Sequence, residues 1–548
     1  MQLNDKIRKH ALANAVEHDG TAAVGSVLGR LLATEPELRS HVKELQPMIA
    51  ETVEEINFMS SENQKKALLE MGGLEKKQYA EKKGLPELVR LDGKKIVVRF
   101  APNPDGALHL GNARPAVLSD EYAKKYNGIF ILRFDDTDPK VKVPEKKFYK
   151  WIKEDLKWLG VKWKKEVVAS KRLKIYYKHA QELVKKGGAY ICTCSGDWKQ
   201  KRNQGIACKC RSLGVKDNLK GWKKMLSGYK EGQAVLRVKT DLSAENPAVR
   251  DWPAFRIVNK PKHPLVKKKL WPLFNFASAI DDHLLGVTHI LRGQEHATNE
   301  AKQRYLYDFF GWTYPKVMIL GRFLMPDMVL SKSLIRKGIE EKKFTGWDDP
   351  APGTLRSLRR RGFQPQALRN LIVDVGVKSS DMTVASENLA AYNKKIVDKI
   401  ADRYFFVPNP RKIVVQNPLL KRTKLKIHPE KKRGTRSFIV SSGFYIDEDD
   451  FVKLHGQEIR LIGLYNIILG DISKATDKEI KQNKKIQWVP EKSKIKVEVL
   501  MPGRIATGYG EKNLSKAKKN QVIQFERCGF VRIEKKTKSK ITAVFGHR

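Results

Sequence analysis

Apolar positions in residues 34–58 recur at helical spacing: Leu38, Val42, Leu45, Ile49, Val53 and Ile56 fall on one face. Ser61-Glu62-Asn63-Gln64 has the form of a capping box opening a further short helix, which Gly72-Gly73 ends. The spacing therefore predicts a helical appendage over 1–90, with a charged linker at 75–84 (EKKQYAEKKG). The pattern then changes. An apolar run at 96–100 (IVVRF) reads as a buried strand, followed by a turn containing Pro102, Asn103, Pro104, Asp105 and Gly106. A helical pattern carries Val117, Leu118, Tyr122 and Tyr126, Gly128 stops it, and 129–134 reads as a second apolar strand. Strand, turn, helix and strand within about 40 residues is a βαβ unit. Its first turn brings backbone N–H groups and a helix N-terminus to one place, which suits a phosphate.

Further on, 151–159 and 175–184 are amphipathic helices, and 234–240 and 287–292 are strands. Asp281-Asp282-His283, lying between apolar runs, reads as a helix end or turn rather than a metal site. Residues 345–401 return to a helical period, with Arg356, Arg359, Arg360 and Arg361 on a basic face. That face is either solvated or placed for phosphates. From Phe405 the period is two. Candidate strands at 412–416, 424–429, 437–446, 459–469, 485–490, 494–502, 522–533 and 540–548 suggest antiparallel barrels. The predicted class is multidomain α/β plus β. A nucleotide-binding domain is split into 91–190 and 271–344 around an insertion at 191–270. A helical region at 345–404 and β-barrels at 405–548 follow.

Composition adds a partner class. Lys and Arg number 107 against 61 Asp and Glu, a net charge of +46 spread along the chain. A field of that sign points to a polyanion, nucleic acid before membrane; a lysine-rich soluble surface is the competing reading. No apolar h-region opens the chain and no run approaches a membrane span, so a cytoplasmic protein is expected; a monomer is expected as well. Four of the five cysteines, Cys192, Cys194, Cys208 and Cys210, form two C-x-C pairs separated by a short loop. Such a quartet suits a closed tetrahedral Zn²⁺ site; disulfides and free thiols remain as alternatives.

The turn residues are more specific than the architecture. APNPDGALHLGNAR (101–114) resembles the "HIGH" motif of class I aminoacyl-tRNA synthetases, and RFDDTDP (133–139) the strand end that follows it in the glutamyl/glutaminyl branch. Val329-Leu330-Ser331-Lys332-Ser333 resembles the "KMSKS" loop. RKGIEEKKFTGWDDP and TLRSLRRRGF after it also resemble that branch, NPAVRDWPAFR (246–256) resembles its archaeal type, and Trp488-Val489-Pro490 with QFERCGFVRI near the C-terminus resembles the two-barrel anticodon-binding region shared by archaeal-type glutamyl and glutaminyl enzymes. The likeness runs from about Ile96 to the C-terminus.

The resemblance implies ATP-dependent ligation of glutamate to tRNA through a glutamyl-adenylate, in protein biosynthesis, with Mg²⁺ accompanying ATP. It implies catalytic roles for His109 and Lys332. ATP contacts would come from Pro102, Pro104, Gly106, His109, Gly111, Asn112, Glu295, Ser331, Lys332 and Ser333. Glutamate contacts would come from Arg99, Ala101, Asp135, Phe274, Asn275 and Arg292, with Arg99 and Arg292 reading the side-chain carboxylate. It places the cysteine cluster over the tRNA acceptor end, and tRNA on Arg356, Arg359, Arg360, Arg361 and Trp488. Asn112 stands where a second His is common, Val329 where the first Lys is, and Phe274 where a Tyr is. A glutaminyl enzyme is the nearest alternative, and Arg292 argues against it. A catalytically idle RNA-binding relative is the alternative of another class. Whether tRNA for glutamine is also charged stays open.

Overall fold

A computed structural model describes residues 3–18, 20–73, 85–89, 93, 95–194, 196–481 and 483–548, in two compact units, Met1–Lys83 and Gly84–Arg548. The predicted charged linker at 75–84 lies outside the described residues.

The first unit packs helices Leu3–Glu17, Val24–Thr34, Val42–Phe58 and Ser61–Glu70 around Ile7, Leu12, Leu31, Ile49 and Ile56. The helix expected over 34–58 begins only at Val42, because a 3₁₀ segment, Pro36–His41, with proline at its start precedes it. The cap of the last helix is Ser60, whose side chain accepts from the Asn63 N–H; Ser61 is already helical. Gln64 is not a capping residue. It is buried and donates to the carbonyl of Gly20, after the first helix, and to that of Ile56, in the helix Val42–Phe58.

The second unit is built on a five-stranded parallel sheet in the order Lys165–Val168, Ile129–Phe134, Val97–Phe100, His289–Gly293, Lys316–Leu320. The first three strands step outward one way, and the chain then returns on the other side of Val97–Phe100. The order thus reverses between Val97–Phe100 and His289–Gly293, which opens a crevice at their carboxyl ends. Leu110–Lys125 crosses the sheet with Leu110, Ala113, Val117, Leu118 and Tyr122 buried. The insertion is an antiparallel sheet of Ala189–Cys192, Val235–Val238, Pro253–Ile257 and Leu270–Pro272. Asp281 and Asp282, expected at a helix end or turn, lie buried in the last turn of the helix Phe274–Leu284. Helices Leu355–Arg360, Pro365–Val375 and Ser386–Val397 follow.

The C-terminal region holds two seven-stranded sheets. Both are mixed rather than purely antiparallel: Asp402–Tyr404 runs parallel to Val522–Phe525, and Pro410–Gln416 parallel to Ile472–Ala475. Three predicted long strands are pairs broken by turns, as Thr435–Ile439 and Gly443–Asp447 show. In one sheet the two edge strands are Asp402–Tyr404 and Phe406–Pro408, separated by Phe405 alone; in the other they are Lys485–Ile486 and Val489–Pro490. Edges joined by so short a link must approach each other, so each sheet curls into a near-barrel. No helix among the described residues is long and apolar enough to cross a membrane.

Candidate functional site

The crevice forms a cavity of about 1810 Å³ whose lining includes Arg99, Ala101, Pro102, His109, Gly111, Asn112, Asp135, Phe274, Asn275, Arg292, Glu295, Ser331, Lys332 and Ser333. Two predicted contacts do not line it. Pro104 is buried with its carbonyl accepting from the Glu145 N–H, and Gly106 lies where any Cβ would come 2.6 Å from the Trp347 ring.

His109 precedes the first turn of Leu110–Lys125, in extended conformation. Its Nδ1 is buried with no protein partner. Burial, helped by the nearby Lys332 ammonium, pushes its pKa down to about 3. The ring is therefore neutral at physiological pH and offers hydrogen bonds rather than charge.

The loop motif does not form a free loop. Ser331 caps the helix Lys332–Glu340, with its side chain accepting from the Leu334 N–H. Lys332 Nζ donates to the Asn103 carbonyl at 2.7 Å and to Asp105 Oδ1 at 2.8 Å. Burial lowers its pKa and Asp105 opposes that shift.

At the other end of the cavity the two arginines differ. Arg99 is buried and paired through Nε and Nη2 with Asp282 Oδ1 and Oδ2, at 2.9 and 3.1 Å. Arg292 is equally buried but meets neutral groups: Gln303 Oε1 at 3.3 Å from both Nη atoms and the Tyr314 hydroxyl at 3.4 Å from Nη2. Burial lowers its pKa, and Arg99 adds repulsion. Arg133 lies between Asp281 at 2.7 Å and Asp135 at 3.2 Å, and Arg172 pairs with Asp281. Of these four arginines, Arg99, Arg133 and Arg172 each have a carboxylate partner, and Arg292 has none among the described residues. The Asn275 Oδ1 is buried without a partner, as is the Asn103 Oδ1 at the Lys332 end. The cavity lining therefore presents orphaned acceptors as well as donors.

The four predicted cysteines converge: Cys192 and Cys208 Sγ are 3.9 Å apart, Cys194 and Cys210 Sγ 3.6 Å, and all four lie within 4.8 Å of one another. A tetrahedron of thiolates about 2.3 Å from zinc has edges of about 3.8 Å, so the donor set fits that ion. None of the four is in a disulfide.

The predicted nucleic-acid contacts fare worse. Arg356 pairs with Glu154 and lies over the Trp151 ring, and Arg360 forms a fork with Glu534. Arg361 is buried and donates to the carbonyls of Pro350, Phe545 and Gly546. Only Arg359 of the four is exposed. Trp488 is fully buried, with Nε1 donating to the Ile462 carbonyl and its ring among Phe405, Phe438 and Phe444. It is a core residue and cannot stack on a base. Arg356, Arg360, Arg361 and Trp488 are thus held by partners from distant segments, and Arg359 alone of the basic face stands open to solvent.

Asp105, Asp282, Gln303 and Tyr314 were not singled out as functional by sequence. The acidic pair at 281–282 was the one signal available for Asp282; Gln303 carries none.

The model for tRNA synthetases class I (E and Q), catalytic domain, matches residues 95–399, and the anti-codon binding domain models of the same class match 401–487 and 485–534. The chain is 50% identical over 575 residues to a glutamate--tRNA ligase of Pyrococcus furiosus, covering 100% of both chains. It is 50% identical to that of Pyrococcus abyssi, over 98% of this chain and 99% of the relative, and 43% identical to that of Methanocaldococcus jannaschii, over 100% of both.

Proposed function

Since the chain belongs to the class I tRNA synthetases for glutamate and glutamine and is a glutamate--tRNA ligase, we propose that its cavity performs the ligation with the residues described above. The observation that carries this reading is the charge left at Arg292. Zwitterionic glutamate has a net charge of −1 and glutamine none, so a buried site with one uncompensated positive charge matches the first. Glutaminyl specificity would leave Arg292 facing an amide.

The amino acid lies at the carboxyl ends of Val97–Phe100 and His289–Gly293, its side chain toward Arg292 and its ammonium toward Asp135. ATP lies over the start of Leu110–Lys125, where the orphaned His109 Nδ1 meets a phosphate or ribose oxygen. The glutamate α-carboxylate attacks the α-phosphorus and pyrophosphate leaves. The terminal 2′-hydroxyl of tRNA then attacks the acyl carbon and AMP leaves. Neither step needs a strong protein base. Positioning and charge do the work, with Lys332 stabilising phosphoryl charge as it builds. Mg²⁺, when bound with ATP, supplies further positive charge on the phosphates.

Cys192, Cys194, Cys208 and Cys210 would hold zinc as a closed site that ties Ala189–Cys192 to the loop returning through Cys208, a structural role. Arg359 and the near-barrels face tRNA in this reading, and the enzyme works as a cytoplasmic monomer. ATP–pyrophosphate exchange in the presence of tRNA, run with glutamate and with glutamine, tests it. Exchange with glutamate alone is expected. Exchange with glutamine alone would favour the glutaminyl alternative, and exchange with neither the idle relative.

A further inference from the structure

Neither Gln303 nor Tyr314 lines the cavity; both support Arg292 from behind. Gln303 is fully buried on the helix Ala297–Phe310, and three donors converge on its Oε1: both Nη atoms of Arg292 at 3.3 Å and the Tyr314 hydroxyl at 2.6 Å. Its Nε2 donates to Ser278 Oγ at 2.5 Å. Turning the amide over would set its N–H groups against the guanidinium donors of Arg292, so one orientation is enforced.

Ser278 sits on Phe274–Leu284, the helix that also supplies Asp282 to Arg99. One helix therefore secures both arginines, Arg99 directly through a carboxylate and Arg292 through a neutral relay. Glutamate would be isosteric at 303 and would meet the guanidinium as an ion pair. The amide instead holds it with two long, shared hydrogen bonds and leaves its charge unneutralised.

We propose that Gln303, backed by Tyr314 and Ser278, is a positioning residue for amino-acid selection. It keeps Arg292 aimed into the cavity and uncompensated, so that the substrate's own carboxylate is its first counter-ion. This rests on the glutamate--tRNA ligase reading and adds to it the device by which a carboxylate is preferred to an amide.

The test is ATP–pyrophosphate exchange by the full chain with tRNA, measuring kcat and KM for L-glutamate and L-glutamine in wild type, Gln303→Glu, Gln303→Met and Tyr314→Phe. In Gln303→Glu the glutamate KM is expected to rise about 100-fold with kcat changed less than about fivefold, and the glutamate-to-glutamine ratio of kcat/KM to fall at least about tenfold. Gln303→Met adds no charge and is expected to raise the glutamate KM less than Gln303→Glu does. Tyr314→Phe should raise the glutamate KM about fivefold and move the ratio the same way. A glutamate KM within about threefold of wild type in Gln303→Glu, or equal losses with both amino acids, overturns the proposal. Should Gln303→Glu fail to fold, Tyr314→Phe decides: an unmoved ratio there overturns it as well. Wild type inactive with glutamate would sink the ligase reading and this proposal together, whereas an active wild type with unmoved ratios sinks this proposal alone.

Discussion

Lys332 Nζ and Asp105 Oδ1 lie 2.8 Å apart, joining the first residue of the helix Lys332–Glu340 to the turn after Val97–Phe100. The cation we propose for ATP is thus already engaged, and a phosphate would have to compete with a carboxylate for it.

Lys332→Ala is expected to cut adenylate formation by about 10² or more, since a preorganised charge is worth a few kcal/mol in the transition state. The glutamate KM should change little. Asp105→Asn removes the competitor and should lower the ATP KM a few-fold. Near-normal pyrophosphate exchange in Lys332→Ala would remove that residue from the mechanism.

Arg292→Cys should lose at least about 10³-fold in kcat/KM for glutamate while losing little with glutamine, because a substrate carboxylate is then buried without its charge partner. Arg99 does not replace it, being already matched by Asp282. Steady-state constants for both amino acids with the same tRNA decide this; an unchanged ratio would mean that Arg292 does not read the side chain.

Protein purified without chelator should carry one zinc per chain by metal analysis. Cys208→Ser should lose it and melt at a lower temperature, since metal binding to such a quartet is folding free energy. Metal-free protein with four titratable thiols would refute the site.

His109 has a folded-state pKa of about 3 against 6.5 for the exposed ring. The unfolded chain binds the extra proton between these values, so the stability tied to the neutral ring is whole above pH 6.5 and drains as pH falls toward 3. At pH 5 the loss is about 2 kcal/mol. Denaturant unfolding at pH 7.5 and pH 5 should show His109→Asn losing that much less than wild type over the same interval, and a parallel loss in both proteins would contradict the neutral ring.

Trp488→Ala should destabilise by about 3–5 kcal/mol, as truncation of a buried aromatic does. Weaker tRNA binding without any loss of stability would return Trp488 to the surface role read from sequence.

The βαβ unit, the cysteine quartet and the placement of Arg99 and Arg292 were legible in the chain, because each is encoded locally, by period, spacing or position at a strand end. What was not legible depends on contacts across the chain. The arginines at 356, 360 and 361 read as a basic face until Glu154, Glu534 and the carbonyls of Phe545 and Gly546 arrive to bind them. Asp281 and Asp282 became counter-ions only once Phe274–Leu284 was packed beside Arg99 and Arg133. The mixed strand order had no signal, since a period of two says which face is buried and nothing about which strand is next.

The placement of Phe405 between two edge strands bears on the order in which the molecule assembles. Asp402 pairs with Ile523 and Phe406 with Gly510, so strands that leave the ribosome early find partners that emerge far later. Until then both present unpaired N–H and C=O groups, the condition that templates wrong pairing. Such distant pairings put this sheet among slow-forming topologies, in which loop closure precedes any reward from contact. Arg361 cannot complete its bonds before Phe545 and Gly546 exist. The nucleotide-binding sheet, whose strands end by Leu320, has no such wait. During synthesis the catalytic half is thus ready to fold while the half that would hold the anticodon is still open, and chaperone dependence should concentrate in the second.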